Sequence, residues 1–275
     1  MVPSVLDSRG ASLVKAKPKV NEKVEDNPLQ VLSVEKAFKV MTAFDRTHPK
    51  MTLTQLAART GMDKSATQRF THTLTTLGYL SKDSDTKLFE LTLKSLELGY
   101  HYIIANTLIQ MAMPYLQHLS QMTEETVNMT FLDGEDVVIV ARLISRNVLN
   151  VDTVVGSRLP AYCSAAGVAM LSKMPRKEAL NILDKSERRA VTPTTVFKKD
   201  ELVKKLDLSA KRGYATAFEE YIHGDLSIAS PVLNHAGVPV AAVGVSVSRA
   251  RYSPEEIEPK FASQVVACAL SIRPT

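Results

Sequence analysis

The 275-residue chain predicts an α+β protein in two parts of different kind, and three observations carry that prediction. Residues 51–91 hold two short helical patterns separated by a tight turn, then two short strand patterns about a polar turn. Beyond residue 126 the strand-length apolar runs outnumber what a βαβ alternation would give, which suits a mostly antiparallel sheet flanked by helices. Charge divides the chain in the same sense. Residues 1–94 hold 15 Lys and Arg against 10 Asp and Glu, and residues 95–275 hold 19 against 19, so the formal net charge of +5 lies wholly in the front third. A basic front domain on a neutral back domain suits a polyanion-binding module attached to something with other work to do.

Residues 1–29 mix Lys, Pro, Ser, Asn and Asp without periodicity, and Pro3, Pro18 and Pro28 break any helix, so they read as a disordered arm. A domain over residues 30–92 follows. Its first helix, Val31 to Arg46, carries an apolar stripe of Val31, Val34, Phe38, Met41 and Phe44. Across Met51–Leu91, Gly61 stands where a helix needs a left-handed terminating residue and Asp63 where the next needs an N-cap. In that next helix Ala66, Phe70, Leu74 and Leu77 predict the buried face. The other face carries Lys64, Ser65, Thr67, Gln68, Arg69, Thr71 and His72, almost all of them hydrogen-bond donors, with no acid.

A turn of three to four residues between two such helices is a helix-turn-helix, whose second helix enters the DNA major groove. There Gln68 and Arg69 can pair with adenine and guanine edges, with Ser65, Thr67, Thr71 and His72 alongside and Lys64 on phosphate. Tyr79–Lys82, the turn Asp83–Thr86 and Lys87–Leu91 predict a hairpin wing, with Lys82 and Lys87 at its base directed to phosphate. The expected partner is a double-stranded DNA operator.

Leu93, Leu96, Tyr100, Ile103, Ile104, Leu108 and Met111 continue at helical spacing with no break before Pro114, predicting a linker helix over 93–112. Its apolar surface exceeds what one small domain covers, which points to a homodimer matched to two-fold operator half-sites. Pro114 is expected in the first turn of a further helix running through Leu116 and Leu119 to Met122.

The back domain, 113–275, predicts strands at Thr126–Leu132 and Val137–Leu143 joined across Asp133-Gly134, and a third at Val148–Val155. After the bend at Leu159-Pro160 comes a small-residue helix with Cys163 or Ser164 near its start. Helices are expected near 176–184 and 199–212, the second closed by Gly213. Strands follow at 214–218, 226–233 and 239–247, then a last helix opened by Ser253-Pro254-Glu255-Glu256.

The catalytic signatures that would mark an enzyme are absent: no Gly-x-Ser-x-Gly, His-Glu-x-x-His, Gly-x-Gly-x-x-Gly or Walker loop occurs. The six histidines are scattered, so neither a metal nor a cofactor is called for. Cys163 ahead of a helix is open to two readings, an activated thiolate or a small buried packing residue, and the second is the commoner. The pair Glu219-Glu220 suits an acidic edge at the mouth of a loop better than a catalytic dyad. An enzyme using the back-domain pocket, or an interaction module without DNA, stands as the alternative. Two cysteines without metal or disulfide spacing, no apolar run of membrane length and no signal-type N-terminus predict a cytoplasmic protein with no membrane partner.

The order VLSVEKAFKVMTAF, LTQLAARTGMDKSATQRFTHTLTTLGYL, FELTLKSLELG, GSRLPAYCSAAGVAML and RGYATAFEEYIHGDLSIASPVLNHAGVPVAAVGVSV resembles the IclR family of bacterial transcription regulators across nearly the whole chain. The resemblance implies a winged helix-turn-helix domain, a dimerising linker helix and a GAF-like effector domain, with assembly as dimers or dimers of dimers, repression or activation of transcription, and a small carboxylic or aromatic acid as effector. Carried over residue by residue, it implies apolar walls at Val148, Val151 and Leu159, Ala165 and Ala166 at a helix start, and hydroxyls at Ser227 and Ser246; Tyr162 or Tyr221 nearby, with Cys163 and Glu219, completes the expected effector site. Those positions also make physical sense. Free amides at a helix N-terminus attract a carboxylate, and small side chains let it approach. An aromatic acid or acyl compound suits the apolar walls better than a small polar acid.

Overall fold

The computed structural model describes residues 29–146 and 153–274, which form two compact units meeting between Ser95 and Leu96. The expected arm, apart from Leu29, and the expected pocket walls Val148 and Val151 lie outside the described residues.

The first unit runs α1 (Leu32–Met41), β1 (Lys50–Met51), α2 (Leu53–Thr60), α3 (Lys64–Thr76), β2 (Leu80–Lys82) and β3 (Phe89–Leu91). Local chemistry sets its boundaries. Thr52 and Gln55 form a reciprocal capping box at the start of α2, Gly61 ends that helix at φ 69°, and the Asp63 carboxylate accepts from the Ala66 amide at 2.7 Å to open α3. The strands pair antiparallel in the order β1-β3-β2 and make the wing. Val40, Ala43, Met51, Leu56, Leu74, Leu80 and Phe89 form the core.

Two expectations fail here. The α1 stripe meets this core only at its C-terminal end: Met41 and Phe44 pack against it beside Val40 and Ala43, whereas Val31, Val34 and Phe38 are each more than half exposed. In α3 the buried face is turned relative to expectation. Thr67 and Thr71 are fully buried with Leu74, whereas Leu77 is exposed.

The second unit runs α4 (Ser95–Ala105), α5 (Thr107–Thr123), β4 (Thr126–Asp133), β5 (Asp136–Leu143), β6 (Arg158–Pro160), a 3₁₀ turn (Ala161–Cys163), α6 (Ala165–Lys173), α7 (Arg176–Lys185), α8 (Lys199–Arg212), β7 (Ala215–Phe218), β8 (Asp225–Leu233), β9 (Pro239–Ser248) and α9 (Pro254–Ser271). The expected linker helix is two helices. Asn106 interrupts it, accepting from the Ile109 amide at 3.1 Å as the N-cap of α5. Pro114 lies inside α5 rather than at its start, where its missing N–H forgoes one intrahelical bond. Of the expected third strand, Val148–Val155, residues 148–152 lie outside the described residues and Thr153–Val155 are not strand; among the described residues the strand beside β5 is Arg158–Pro160, with Val138 and Val137 paired to Arg158 and Leu159.

All strand pairs are antiparallel, in the order β6-β5-β4-β9-β8-β7. Both faces of the sheet are covered. Val127, Met129, Ile228, Val243, Val245 and Val247 pack under α5 and α9. Val137, Ala215, Ala217 and Ala229 face the 3₁₀ turn and α6 to α8. Strand alternation therefore sends Thr126, Asn128, Thr130, Ser227 and Ser246 to the α6 side.

Candidate functional site

On α3 the exposed residues include Lys64, Ser65, Gln68, Arg69 and His72, at helical spacings that put them on one face. No acid interrupts it. Thr67 and Thr71, expected on that face, are corrected to the interior. Their hydroxyls donate to the Asp63 carbonyl at 2.8 Å and the Gln68 carbonyl at 3.1 Å, and their methyls join the core. Lys82 and Lys87, the two lysines expected at the base of the wing, are exposed but engaged. Lys82 Nζ lies 5.2 Å from the centre of the Phe89 ring, and Lys87, at φ 59°, donates to the Ser84 carbonyl. The wing tip holds the Asp83 carboxylate, kept below the usual carboxylate range by hydrogen bonds from Thr86 and the Asp85 amide. The helix thus presents a donor-rich surface with exposed cations, whereas the wing presents lysines next to acid.

In the second unit a cavity of about 100 Å³ lies between the sheet and the start of α6. Of the expected effector residues, Leu159, Cys163, Ala165, Ala166, Ser227 and Ser246 line it. Tyr162 does not: it is buried within the 3₁₀ turn, and its hydroxyl donates to the Arg189 carbonyl at 3.0 Å. Tyr221 lines the cavity instead. Glu219 is also displaced. It adopts φ 56° and turns its carboxylate to the Gly224 amide at 2.8 Å, leaving Glu220 to face the cavity. Burial raises the Glu220 carboxyl, opposed by the Lys205 ammonium with which it is ion-paired. Cys163 is fully buried in the core beside Tyr162 and Val168, and burial pushes its thiol up to about 12, the surroundings of a packing residue.

Polar residues that the sequence did not single out, Arg142, Asn128, Asp225 and Thr130, join Ser227 and Ser246 on the cavity floor. Arg142 Nη1 donates to Asn128 Oδ1 at 2.8 Å, Asn128 Nδ2 donates to Ser246 Oγ at 3.3 Å, the Ser246 and Ser227 hydroxyls are 3.0 Å apart, and Ser227 donates to Asp225. Burial pushes Asp225 up to about 6, against the pull of Ser227 and Arg142. Thr130 Oγ1, buried on the same wall, has no partner among the described residues. At the opposite wall Ser164 caps α6, accepting from the Gly167 amide at 3.1 Å. The first intrahelical bond runs from Val168 to Ser164, so the Ala165 and Ala166 amides precede the helical ladder. The strict alternation in Thr126-Val127-Asn128-Met129-Thr130 was the available signal for Asn128 and Thr130.

A winged helix-turn-helix domain with an acid-free recognition helix, joined in one chain to a domain built around a polar-floored cavity, defines a DNA-binding transcription regulator with an effector-binding domain. The chain belongs to the IclR family: residues 33–84 match the IclR helix-turn-helix domain and residues 100–273 the bacterial transcriptional regulator IclR C-terminal domain. It is 30% identical over 244 residues to the Pca regulon regulatory protein of Pseudomonas putida, covering 88% of this chain and 83% of that one. The structure of a transcriptional regulator from Rhodococcus sp. RHA1 aligns with a TM-score of 0.78 at 32% identity, over 88% of this chain and 97% of that one. An IclR homologue from Microbacterium hydrocarbonoxydans, crystallised with 4-hydroxybenzoate, shares the fold with a TM-score of 0.74 at 22% identity over 87% and 97%. Regulators rather than enzymes are therefore its kin. Among the described residues no helix is long and apolar enough to cross a membrane.

Proposed function

We propose that the protein is an operator-binding regulator whose second unit takes a small aromatic or other carboxylic acid, or an acyl derivative, and whose DNA affinity changes when that effector binds. One observation carries this reading. Ala165 and Ala166, whose amides open α6 at its positive end, line a cavity that also holds the Arg142 guanidinium, bonded to Asn128, and the Thr130 hydroxyl, which has no partner among the described residues, a donor set suited to a carboxylate. Leu159, Val137, Ile139 and Tyr221 supply apolar walls. At about 100 Å³ the cavity is smaller than the roughly 150 Å³ that accommodates benzene in another protein, so a single-ring acid enters only as the cavity widens on binding. The relative crystallised with 4-hydroxybenzoate supports the same chemical class.

DNA is read by Gln68 and Arg69, with Ser65 and His72 beside them and Lys64 on phosphate. The protein binds as a homodimer through α4, whose Leu96, Tyr100, Tyr102 and Ile104 are each about half exposed or more. Binding of effector stabilises the fold and, by linkage, shifts operator affinity by the factor with which operator shifts effector affinity. The test is a screen of aromatic acids by thermal shift and operator-binding anisotropy, on the wild type and on Ala165→Leu. The expected result is a shift in both readouts that Ala165→Leu abolishes. Absence of any shift, or a hit that persists in Ala165→Leu, overturns the assignment.

A further inference from the structure

The row of polar side chains across the cavity floor has a direction. Its members lie on neighbouring strands: Asn128 opposes Arg142, Thr126 opposes Ser246, and Ser246 opposes Ser227. A guanidinium only donates, so the 2.8 Å contact puts Asn128 Oδ1 toward Arg142 and its amide group toward Ser246. Ser227 has one hydroxyl hydrogen and gives it to Asp225 Oδ2, so the 3.0 Å contact between the serines is donated by Ser246. Every hydrogen from Arg142 onward points toward Asp225. The row ends there, on a carboxylate with one oxygen used.

The other oxygen, Asp225 Oδ1, receives no hydrogen bond among the described residues, although Asp225 lines the cavity. It differs in this from the second carboxylate of the cavity wall. Both Glu220 oxygens are occupied, Oε1 by Lys205 and Oε2 by the Val196 amide. The α6 end of the cavity offers backbone donors, and the β8 end offers this one anionic acceptor. An acceptor desolvated by a ligand that cannot donate to it is left unpaired, which costs far more than the bond itself contributes.

Resting on the reading of this cavity as the effector site, we propose that Asp225 is a specificity-determining residue that admits acids bearing a hydrogen-bond donor, such as a ring hydroxyl, at a position remote from the carboxylate. The ligand class is then a hydroxylated single-ring acid, and the unsubstituted acid and the ether are discriminated against. A methoxy group presents only an acceptor to the Asp225 carboxylate, so it is rejected by the absence of a bond and by repulsion.

The experiment uses the full chain and titrates benzoate, the isomeric hydroxybenzoates and the matched methoxybenzoates by calorimetry and thermal shift, on the wild type, Asp225→Asn, Asp225→Leu and Ala165→Leu. At least one hydroxybenzoate should bind the wild type about 10- to 100-fold more tightly than its methoxy partner, the ratio expected of a hydrogen bond to a charged group. Asp225→Leu should bring that ratio close to one, and Asp225→Asn should lower it. If the Leu variant does not fold by circular dichroism, the isosteric Asn variant decides. Hydroxy and methoxy acids binding the wild type equally, both lost in Ala165→Leu, would overturn the role of Asp225 and leave the cavity assignment standing. A ratio unchanged in the Asp225 variants would do the same. Silence of every acid on the wild type overturns both readings.

Discussion

Thr67 Oγ1 donates to the carbonyl of Asp63, four residues earlier in the chain, at 2.8 Å. The hydroxyl is thereby committed inside the first turn of α3, and the side chain contributes its methyl to the core beside Leu74. On the proposed reading of α3, base readout belongs to its exposed neighbours Gln68 and Arg69. Arg69→Ala should cost on the order of 1–3 kcal/mol of operator affinity and relax preference at one base position. Thr67→Val should leave base preference intact. Anisotropy titrations against the operator and its single-base variants check both, and an altered preference in Thr67→Val would contradict this division of labour. Lys64→Ala should weaken binding to all sequences alike and flatten its salt dependence.

Gly167 is fixed by the close approach of α6 to the 3₁₀ turn. A Cβ at this position would sit 2.3 Å from the Ala161 carbonyl oxygen and 2.4 Å from its Cα, so backbone would have to move. Gly167→Ala should destabilise the effector domain by about 1–3 kcal/mol, the usual range for overpacking. Gly99 in α4 has nothing within 4 Å of its would-be Cβ, and Gly99→Ala should stabilise by roughly 0.5–1 kcal/mol through helix propensity. Opposite signs in thermal melts of the two variants are the expected outcome.

Asp225 makes stability depend on pH with a definite sign. Unfolded, it titrates near the ordinary 3.8; folded, burial raises it to about 6. Between these values the folded state holds a proton that the unfolded state has released, so this group's contribution to stability falls as pH rises through about 4 to 6 and stays lower above that window. Asp225→Asn should therefore gain stability relative to the wild type on going from pH 4 to pH 7, by at most roughly 3 kcal/mol. Denaturant unfolding of both proteins at the two pH values measures the difference, in which the raised Glu220 carboxyl, common to both, cancels. A constant difference across pH would show that Asp225 titrates normally.

The apolar face of α4 predicts the assembly. Ile103 packs partly against the core of the second unit, so Glu at that position would disturb the fold as well as any interface. Tyr100, 59% exposed, is the cleaner probe. Tyr100→Glu should give monomers by sedimentation velocity with an unchanged melting curve for the effector domain, and should weaken operator binding steeply. A wild-type protein that is already monomeric at micromolar concentration with full affinity would refute the dimer.

Much of this was legible because its causes are local. Gly61 and Asp63 mark helix ends by left-handed backbone and side-chain capping, and Asp133-Gly134 marks a hairpin; neither depends on residues far away. Asn106 was equally local but was masked by the apolar run on both sides of it. The side of α3 that would be buried was ambiguous, because threonine is half methyl and half hydroxyl and its hydroxyl can bond within the helix. The α1 stripe shows a subtler limit. Val31, Val34 and Phe38 do form one face, but periodicity says that a face is apolar, not which surface will cover it. The cavity floor was the least legible part. Asn128 and Ser246 meet across 118 positions of sequence, and the meaning of Asp225 depends on which oxygen Ser227 takes.

The pairing of β4 with β9 also sets an order of events during synthesis. The contacts of the DNA-reading unit close within residues 29–95, whereas the cavity floor needs Asn128 to wait for Ser246. A nascent chain therefore completes its operator-reading module while the sensor still lacks a central strand. Non-local strand pairing is the slow step in folding, and domains fold as units in the order they are made. A ribosome stalled or a message cut before Pro239 would yield a product with an intact recognition helix and no means of answering to a metabolite. Such a fragment would compete for the operator without responding to effector.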